Sequence, residues 1–335
     1  MKIQVLDHGY VELIECWGTG KDGVDRYVGR DHGEPVIEED IDFEVGIIEA
    51  ARQSTQGSFR GWQPACDCEG KRTSDEPVSK MFVNQPHFAS CASNKGDAKL
   101  LRFLYEHRHS TPFEFSGMVI EVQAPLFVFR EWHRHRTQSY NEASARYAPL
   151  PDLYYMPTKE VLLDRADEAF VSKNKQGGVD NYVAKDVRDI QIANWWHRLS
   201  EEYSRCEELY QYGLQIGVPK ELARLIMPVG HYSKMRASAN LRNWLAFLTL
   251  RMDPAAQWEI RQFANAVAQL IALKFPRTWE LFNAEFPQEQ LSCIHDLQRR
   301  DKTLRMHEAE GRVGWKCTVC HSIWMPELHY GPPKA

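Results

Sequence analysis

The chain has 335 residues, with 41 Lys and Arg against 46 Asp and Glu and a formal net charge of −5. That balance argues against a surface built throughout for nucleic acid, which would be basic overall. Hydrophobic residues at 43% and charged residues at 26% are ordinary globular usage, which excludes disorder as a whole-chain reading.

No run approaches the roughly 18 apolar residues of a membrane span. The apolar stretch at the start, Met1 to Asp7, is too short for a signal peptide. Eight cysteines in a chain of this length are no secreted disulfide framework, so a reducing cytoplasm is the default expectation.

Residues 1–17 read as two short strands around Asp7-His8-Gly9-Tyr10, with a partial period of two through Val11 and Leu13. Gly18-Thr19-Gly20-Lys21-Asp22-Gly23 then matches G-x-G-x-x-G, with Glu38 and Glu39 near the spacing of a ribose-binding acid. A dinucleotide site needs a helix to open at that turn. Gly29, Gly33 and Pro35 interrupt the following residues, so a glycine-rich connection is expected instead.

A helix is predicted from Glu39 to Ser54, with Phe43, Ile47 and Ala51 at fourfold spacing. Residues 55–96 read as a loop-rich insertion, followed by a short helix with Asp97 as its cap and Leu100, Leu101 and Leu104 on one face. Phe115 to Ala124 alternates, placing Met118, Ile120, Val122 and Ala124 on the buried side of a strand. Pro125 then opens a helix through Phe127, Val128 and Trp132.

Residues 160–183 are polar and read as an exposed connection. A long helix is predicted from Val187 to Ile216, with a stripe of Trp195, Leu199, Tyr203, Cys206 and Tyr210, stopped by Gly217-Val218-Pro219. Another is predicted over 254–275, capped by Asp253, begun by Pro254 and ended by Pro276. Its inward stripe is Ala256, Ile260, Phe263, Val267, Leu270 and Ile271. Strands and long helices without βαβ alternation indicate an α+β fold, a central antiparallel or mixed sheet flanked by long helices. A boundary is expected near residue 288, giving a main domain of 1–288 and a tail of 289–335.

One segment carries the chemistry. Arg130 to Tyr147 holds four Arg, two His and only two Glu in a net-acidic chain. Arg134, His135 and Arg136 cannot share a helix face, because successive residues differ by about 100°. Such a trio suits a point where a helix breaks and donors fan around a polyanion, since guanidinium forks match phosphate. The alternative is a solvated basic face. The Trp, Tyr, Asn and Ser within the run, and the apolar strand and helix before it, favour a site.

Arg134-His135-Arg136, seven residues, then Ser144 resembles the R-H-R-x7-S signature of the flavin-dependent thymidylate synthases. The surrounding Asn141-Glu142-x-Ser144-x-Arg146-Tyr147 is similar as well. So, in the same order along the chain, are Ala50-Ala51-Arg52, His109-Ser110-Thr111-Pro112-Phe113-Glu114, Ala223-Arg224, Asn240-Leu241-Arg242, and Leu250-Arg251 with Ala256-Gln257-Trp258-Glu259.

The resemblance implies reductive methylation of dUMP to dTMP, with methylenetetrahydrofolate as carbon donor, FAD as redox carrier and NADPH as reductant. It also implies a homotetramer with shared active sites and that family's α+β fold. By similarity FAD would meet Thr111, Arg134, His135, Arg136, Glu142, Asn240 and Arg242, with His109 nearby. The dUMP would meet Glu131, Arg134, Glu142, Ala143, Ser144, Ala145, Arg146, Arg224 and Arg251, and Arg251 would be catalytic. A fixed cation beside the pyrimidine stabilises charge developing on N3 and O4 and makes C5 more electron-rich. Ser144 reads as a hydrogen-bonding residue rather than a nucleophile, because no base is evident beside it.

The chain departs from the family at two positions. Glu131 stands where the family usually has Gln, and Ala246 where it commonly has a polar flavin contact. An ionised carboxylate cannot donate a hydrogen bond and repels phosphate, although it can pair with a neighbouring Arg or meet a pyrimidine N–H. Relative to a minimal member, insertions fall at about 18–42, 55–96 and 160–186.

In the tail, Cys293, His295, Cys317 and Cys320 have the makings of a tetrahedral structural zinc site, with His321 or His329 as alternatives to His295. A reduced cysteine pair on a packed hairpin is the competing reading. Cys66, Cys68, His87 and Cys91 form a weaker echo in the second insertion. Cys317-x-x-Cys320-His321 also spells a haem-attachment motif, set aside because no export signal is evident. A zinc-stapled nucleic-acid-binding module is the alternative function; the single compact Arg cluster and the net charge count against it.

Overall fold

The computed structural model describes residues 1–20, 41–62, 96–171 and 184–285, together with the strand backbones at 304–309, 312–317 and 323–324. As the alternation near the start predicts, β1 (Lys2–Val5) and β2 (Gly9–Trp17) form an antiparallel hairpin. With β3 (Gly117–Pro125), β4 (Ser139–Glu142) and β5 (Tyr232–Asn240) they make a sheet of order β1-β2-β3-β5-β4, antiparallel at every pairing. The register sets Val11 opposite Val122, Ile120 opposite Ala237 and Met118 opposite Ala239. One face is therefore a continuous apolar surface, and Met118, Ile120, Val122 and Ala124 are fully buried on it.

The helices are α1 (Val45–Arg52), α2 (Asp97–Glu106), α3 (Leu126–Trp132), α4 (Lys159–Val171), α5 (Lys185–Gln215), α6 (Lys220–Ala223), α7 (Leu241–Arg251), α8 (Trp258–Lys274) and α9 (Pro276–Glu285). The core joins the sheet's apolar face to Trp244, Phe247 and Leu248 of α7 and to Ile260, Phe263, Val267, Leu270 and Ile271 of α8. Each such side chain contributes about 1.5–3 kcal/mol by leaving water. The α+β class is the one the sequence indicates. No helix among the described residues is long and apolar enough to cross a membrane.

Several helix starts differ from expectation because acidic side chains bond elsewhere. Glu44 precedes α1 and is buried. It sits on the N-terminus of α9, accepting from Thr278 N (2.6 Å), Thr278 Oγ1 (2.7 Å) and Arg277 N (3.1 Å). Asp97 is the first residue of α2 rather than its cap, and its carboxylate takes Arg52 Nε (3.1 Å) and the Arg60 amide (2.6 Å). Asp253 Oδ1 accepts from Ala255 N (2.7 Å) in a local turn, so α8 begins at Trp258 instead of Pro254. Pro125 caps α3 rather than entering it, and Pro276 opens α9 as α8 ends.

Residues 160–183 are not simply a connection, because α4 occupies their first part. Thr158 Oγ1 accepts from Val161 N (3.3 Å), and the Glu, Leu and Ala that follow are strong helix formers. On α5, Leu199, Tyr203, Cys206 and Tyr210 face inward, but Trp195 is exposed. Trp196 takes the inner line, donating to Pro157 O (2.8 Å). The helix stops where expected. Gly217 has φ +83°, its N–H bonds Leu214 O, and Val218 N bonds Gly213 O (2.9 Å), a Schellman motif.

Gly18 is a close-approach glycine. A Cβ there would lie 2.3 Å from Phe43 O, and its carbonyl accepts from Gly46 N (2.7 Å). Residues 21–23, Glu38 and Glu39 lie outside the described residues. Asp42 accepts from Trp62 Nε1 and from Arg277 Nη1 (3.0 Å), which ties residues 42 and 62 to the start of α9. Further along the chain, β6 (Leu304–Ala309), β7 (Arg312–Cys317) and β8 (Ile323–Trp324) form a second antiparallel sheet.

Candidate active site

The basic segment lies where the sequence expects a helix to break: α3 ends at Trp132 and the chain turns through 133–138 into β4. Core side chains fix that turn from beneath. Trp132 is fully buried, stacks on Phe247 of α7 (centroids 4.7 Å apart) and donates to Gln138 Oε1 (3.1 Å). The Tyr140 hydroxyl donates to His135 O (2.7 Å) and Trp132 O (3.2 Å), and Asn243 Nδ2 donates to Thr137 O (3.0 Å). Gln138, Tyr140 and Asn243 escaped the sequence reading. The hydroxyl of Tyr140 beside an Arg/His trio was the available signal.

Above this support the guanidinium groups differ in their partners. Arg134 and Arg136 are exposed and have no carboxylate partner among the described residues. Arg251, at the last turn of α7, is gripped on three sides. Its Nε donates to His135 Nε2 (2.8 Å), Nη1 to Glu131 Oε2 (2.9 Å) and Nη2 to the Glu131 carbonyl (2.8 Å). His135 Nε2 is therefore an acceptor, which assigns the ring proton to Nδ1. Burial, then the charge of Arg251, pushes the His135 pKa down to about 4. The imidazole is neutral near pH 7.

At the other end of α7, Asn240 caps the helix by accepting from Asn243 N (2.9 Å), and Arg242 pairs with Glu114. Glu114 shares a short helical turn with Thr111, just after His109. The β4–β5 register, Ser139 opposite Ser238, brings this corner beside the basic turn. Ala246 is exposed on α7, one turn beyond Arg242.

A second cluster follows the far end of β4. Glu142 pairs with Met235, and Ala143 N donates to Lys234 O (2.8 Å). Ala145 is buried. Ser144 Oγ accepts from Arg146 N (3.3 Å), a turn-forming role and not that of an activated nucleophile. Arg146 pairs with Glu221 of α6 (3.1 Å), whose carbonyl accepts from Arg224 Nε (3.3 Å). Contacts thus join Glu131, His135 and Arg251 in one group and Ser144, Arg146 and Arg224 in another. Among the described residues, no hydrogen bond or ion pair links the two.

A cavity of about 370 Å³ lies between residues 152–156 and α5, lined by Tyr154, Tyr203, Glu207 and Glu208 among others. None of the expected site residues lines it, and its acidic walls have the wrong sign for phosphate. Cys293, His295 and Cys320 lie outside the described residues, as do Cys66, Cys68, His87, Cys91, His321 and His329. Cys317 is described only as the backbone end of β7.

Residues 36–277 match the family described as thymidylate synthase complementing protein. A flavin-dependent thymidylate synthase of Thermotoga neapolitana is 36% identical over 282 residues, covering 84% of this chain and 94% of the relative. That of Rickettsia prowazekii is 31% identical over 327 residues, covering 92% and 88%. Among solved structures, a UMP/dUMP methylase from Streptomyces cacaoi bound with 5-Br dUMP superposes with a TM-score of 0.55 at 26% identity, covering 84% of this chain and 97% of that one. With a model match over most of its length and relatives covered nearly end to end, the chain belongs to the flavin-dependent thymidylate synthase family.

Proposed function

We propose that this chain catalyses the reductive methylation of dUMP to dTMP, taking its carbon from methylenetetrahydrofolate, with FAD as redox carrier and NADPH as reductant. One observation carries the reading beyond family membership. Arg134, Arg136 and Arg224 are exposed and lack a carboxylate partner among the described residues, in a chain whose net charge is negative. Unneutralised guanidinium groups, two of them on a turn fixed by the core, are what the phosphates of a mononucleotide and a dinucleotide require.

The donor set fits FAD. Arg134, Arg136 and Arg242 would meet its phosphates, while Thr111, His135, Glu142 and Asn240, with His109 nearby, offer hydrogen-bonding groups for its sugar and ring edges. The flavin supplies the redox chemistry when bound. The chain's own residues bind and polarise dUMP: Arg134, Arg146 and Arg224 neutralise phosphate, and the segment Glu142 to Arg146 offers backbone and side-chain partners. Arg251 stabilises negative charge developing on the pyrimidine as C5 becomes nucleophilic. No cysteine is assigned a role in adding to the ring.

The exposure of so many of these groups, and their division into two clusters, fits a site completed by a neighbouring subunit of a homotetramer, in the cytoplasm. In this reading residues 1–288 are the catalytic domain and 289–335 a tail stapled by zinc through Cys293, His295, Cys317 and Cys320.

The test is anaerobic turnover of dUMP with methylenetetrahydrofolate and NADPH, following dTMP, for wild type and Arg251→Ala. Formation of dTMP by wild type, lost in a variant that still holds FAD, supports the reading. A wild-type protein that binds FAD and dUMP but makes no dTMP refutes it in favour of a nucleotide-binding role.

A further inference from the structure

Glu131 meets Arg251 twice, through its carboxylate (2.9 Å) and through its backbone carbonyl (2.8 Å). With His135 Nε2 as third acceptor, three of the five guanidinium N–H groups are committed. The other two, one on each Nη, have no partner among the described residues. The Arg251 side chain is only 15% exposed, whereas those of Arg146 and Arg242 are 58% and 51% exposed in their ion pairs.

The parts that hold Arg251 are themselves held. Glu131 is on the last turn of α3 beside Trp132, and the Trp132 ring stacks on Phe247, which lies one turn before Arg251 on α7. His135 packs edge-on against the same Phe247 ring (4.8 Å). Two helix termini and one turn thus converge on a single guanidinium plane.

We propose that Glu131 is a positioning residue for Arg251, locking the guanidinium so that its two free N–H groups face the carbonyl edge of the bound pyrimidine. The proposal rests on the reading of Arg251 as the cation beside that ring. It assigns Glu131 to the arginine and not to the nucleotide, whose phosphate a carboxylate would repel. A lysine at 251 would not satisfy this arrangement, because an ammonium has no plane for three acceptors to fix.

The experiment compares wild type, Glu131→Gln, Glu131→Asp, Glu131→Ala and Arg251→Ala as FAD-loaded proteins, reading kcat, KM for dUMP, flavin absorbance and melting temperature. The Gln side chain keeps an acceptor at the same reach, so Glu131→Gln is expected to lose less than about tenfold in kcat. Glu131→Ala is expected to lose about a hundredfold in kcat, with KM for dUMP within about threefold and flavin retained, as for a displaced catalytic group. Glu131→Asp keeps the charge but loses the reach, and is expected to fall with Ala.

Three results would overturn the proposal. A rise in KM with kcat preserved would make Glu131 a nucleotide contact. Equal losses in Gln and Ala would make its charge, not its acceptor geometry, the contribution. Wild-type kcat in Asp or Ala would show that Arg251 needs no holding. Should the Ala variant shed its flavin or fail to fold, the contrast between Gln and Asp decides alone. An Arg251→Ala protein with wild-type turnover would instead refute the reading of Arg251, whatever the Glu131 variants do.

Discussion

Tyr140→Phe isolates the support of the basic turn from the turn's own charges. The substitution removes one hydroxyl and keeps the ring, which packs edge-on against His133 (5.0 Å). The hydroxyl donates to His135 O and Trp132 O. Both carbonyls keep another donor, Gln138 N (3.2 Å) for the first and His135 N (3.0 Å) for the second. No acceptor is stranded, so the cost is that of an ordinary net hydrogen bond, about 1 kcal/mol, and not the larger penalty of an unsatisfied buried group. If that energy is spent on ordering residues 133–138, a ligand held by Arg134 and Arg136 must supply it on binding, and affinity for FAD falls about fivefold. Flavin titration of the apoprotein measures the affinity, and thermal melting measures the stability. A variant that melts earlier by the full 1 kcal/mol yet binds FAD as wild type would refute the link between this hydroxyl and the site. One unchanged in both would show that the hydroxyl holds nothing.

Other expectations follow from the same geometry. The folded-state pKa of His135, about 4, lies below its ordinary 6.5, so between those values the unfolded chain binds more protons. The stability this contributes is complete above pH 6.5 and is lost as pH falls toward 4. His135→Gln should flatten that limb in melting curves across this range; an unchanged slope would contradict a neutral acceptor. Glu44→Ala strands the donors at the start of α9 and should cost about 3 kcal/mol, the low end for breaking a buried pair because Arg277 stays partly exposed. Denaturant unfolding measures it, and a loss under about 1 kcal/mol would show that α9 caps itself without Glu44. Arg134→Ala and Arg136→Ala should change stability by no more than about 0.5 kcal/mol, as surface substitutions do, while weakening retention of FAD. Lowered stability with unchanged flavin binding would assign these arginines to the fold instead.

The strands and the core helices were legible because burial imposes a period. Met118 to Ala124 alternates and Ile260 to Ile271 repeats helically, and each pattern has one stable placement against a sheet. Helix starts were less legible, since Glu44 and Asp97 each have a local capping option and a longer-range one, while Asp253 closes a local turn instead of a cap. Only three-dimensional proximity, such as Asp97 to Arg52, selects between them. The helix α4 is hidden by its polar composition, and the stripe of α5 does not tell Trp195 from Trp196, since Leu199 lies four residues after one and three after the other. At the site, the break after Trp132 could be read from Arg134, His135 and Arg136 in succession, three polar side chains that no single helix face can hold. The grip of Glu131 on Arg251 could not: 120 residues separate them, and no periodicity links the last turn of α3 to that of α7.

That grip divides the arginines by task. Arg146–Glu221 and Arg242–Glu114 are exposed pairs, a class worth at most about 1 kcal/mol, so an arriving phosphate can displace the carboxylate at little cost. Arg134, Arg136 and Arg224 have no carboxylate to displace among the described residues. These five suit capture, in which a charge must be available and adaptable. Arg251 is different: it is largely enclosed, its partners are Glu131 on the last turn of α3 and His135 in the turn that follows, and moving it would break three hydrogen bonds together. A group meant to stabilise charge that appears only as the reaction proceeds gains from being fixed beforehand, because no reorganisation is then required at the moment of reaction. Its enclosure, more than its charge, is what sets Arg251 apart from the arginines proposed to gather the ligands.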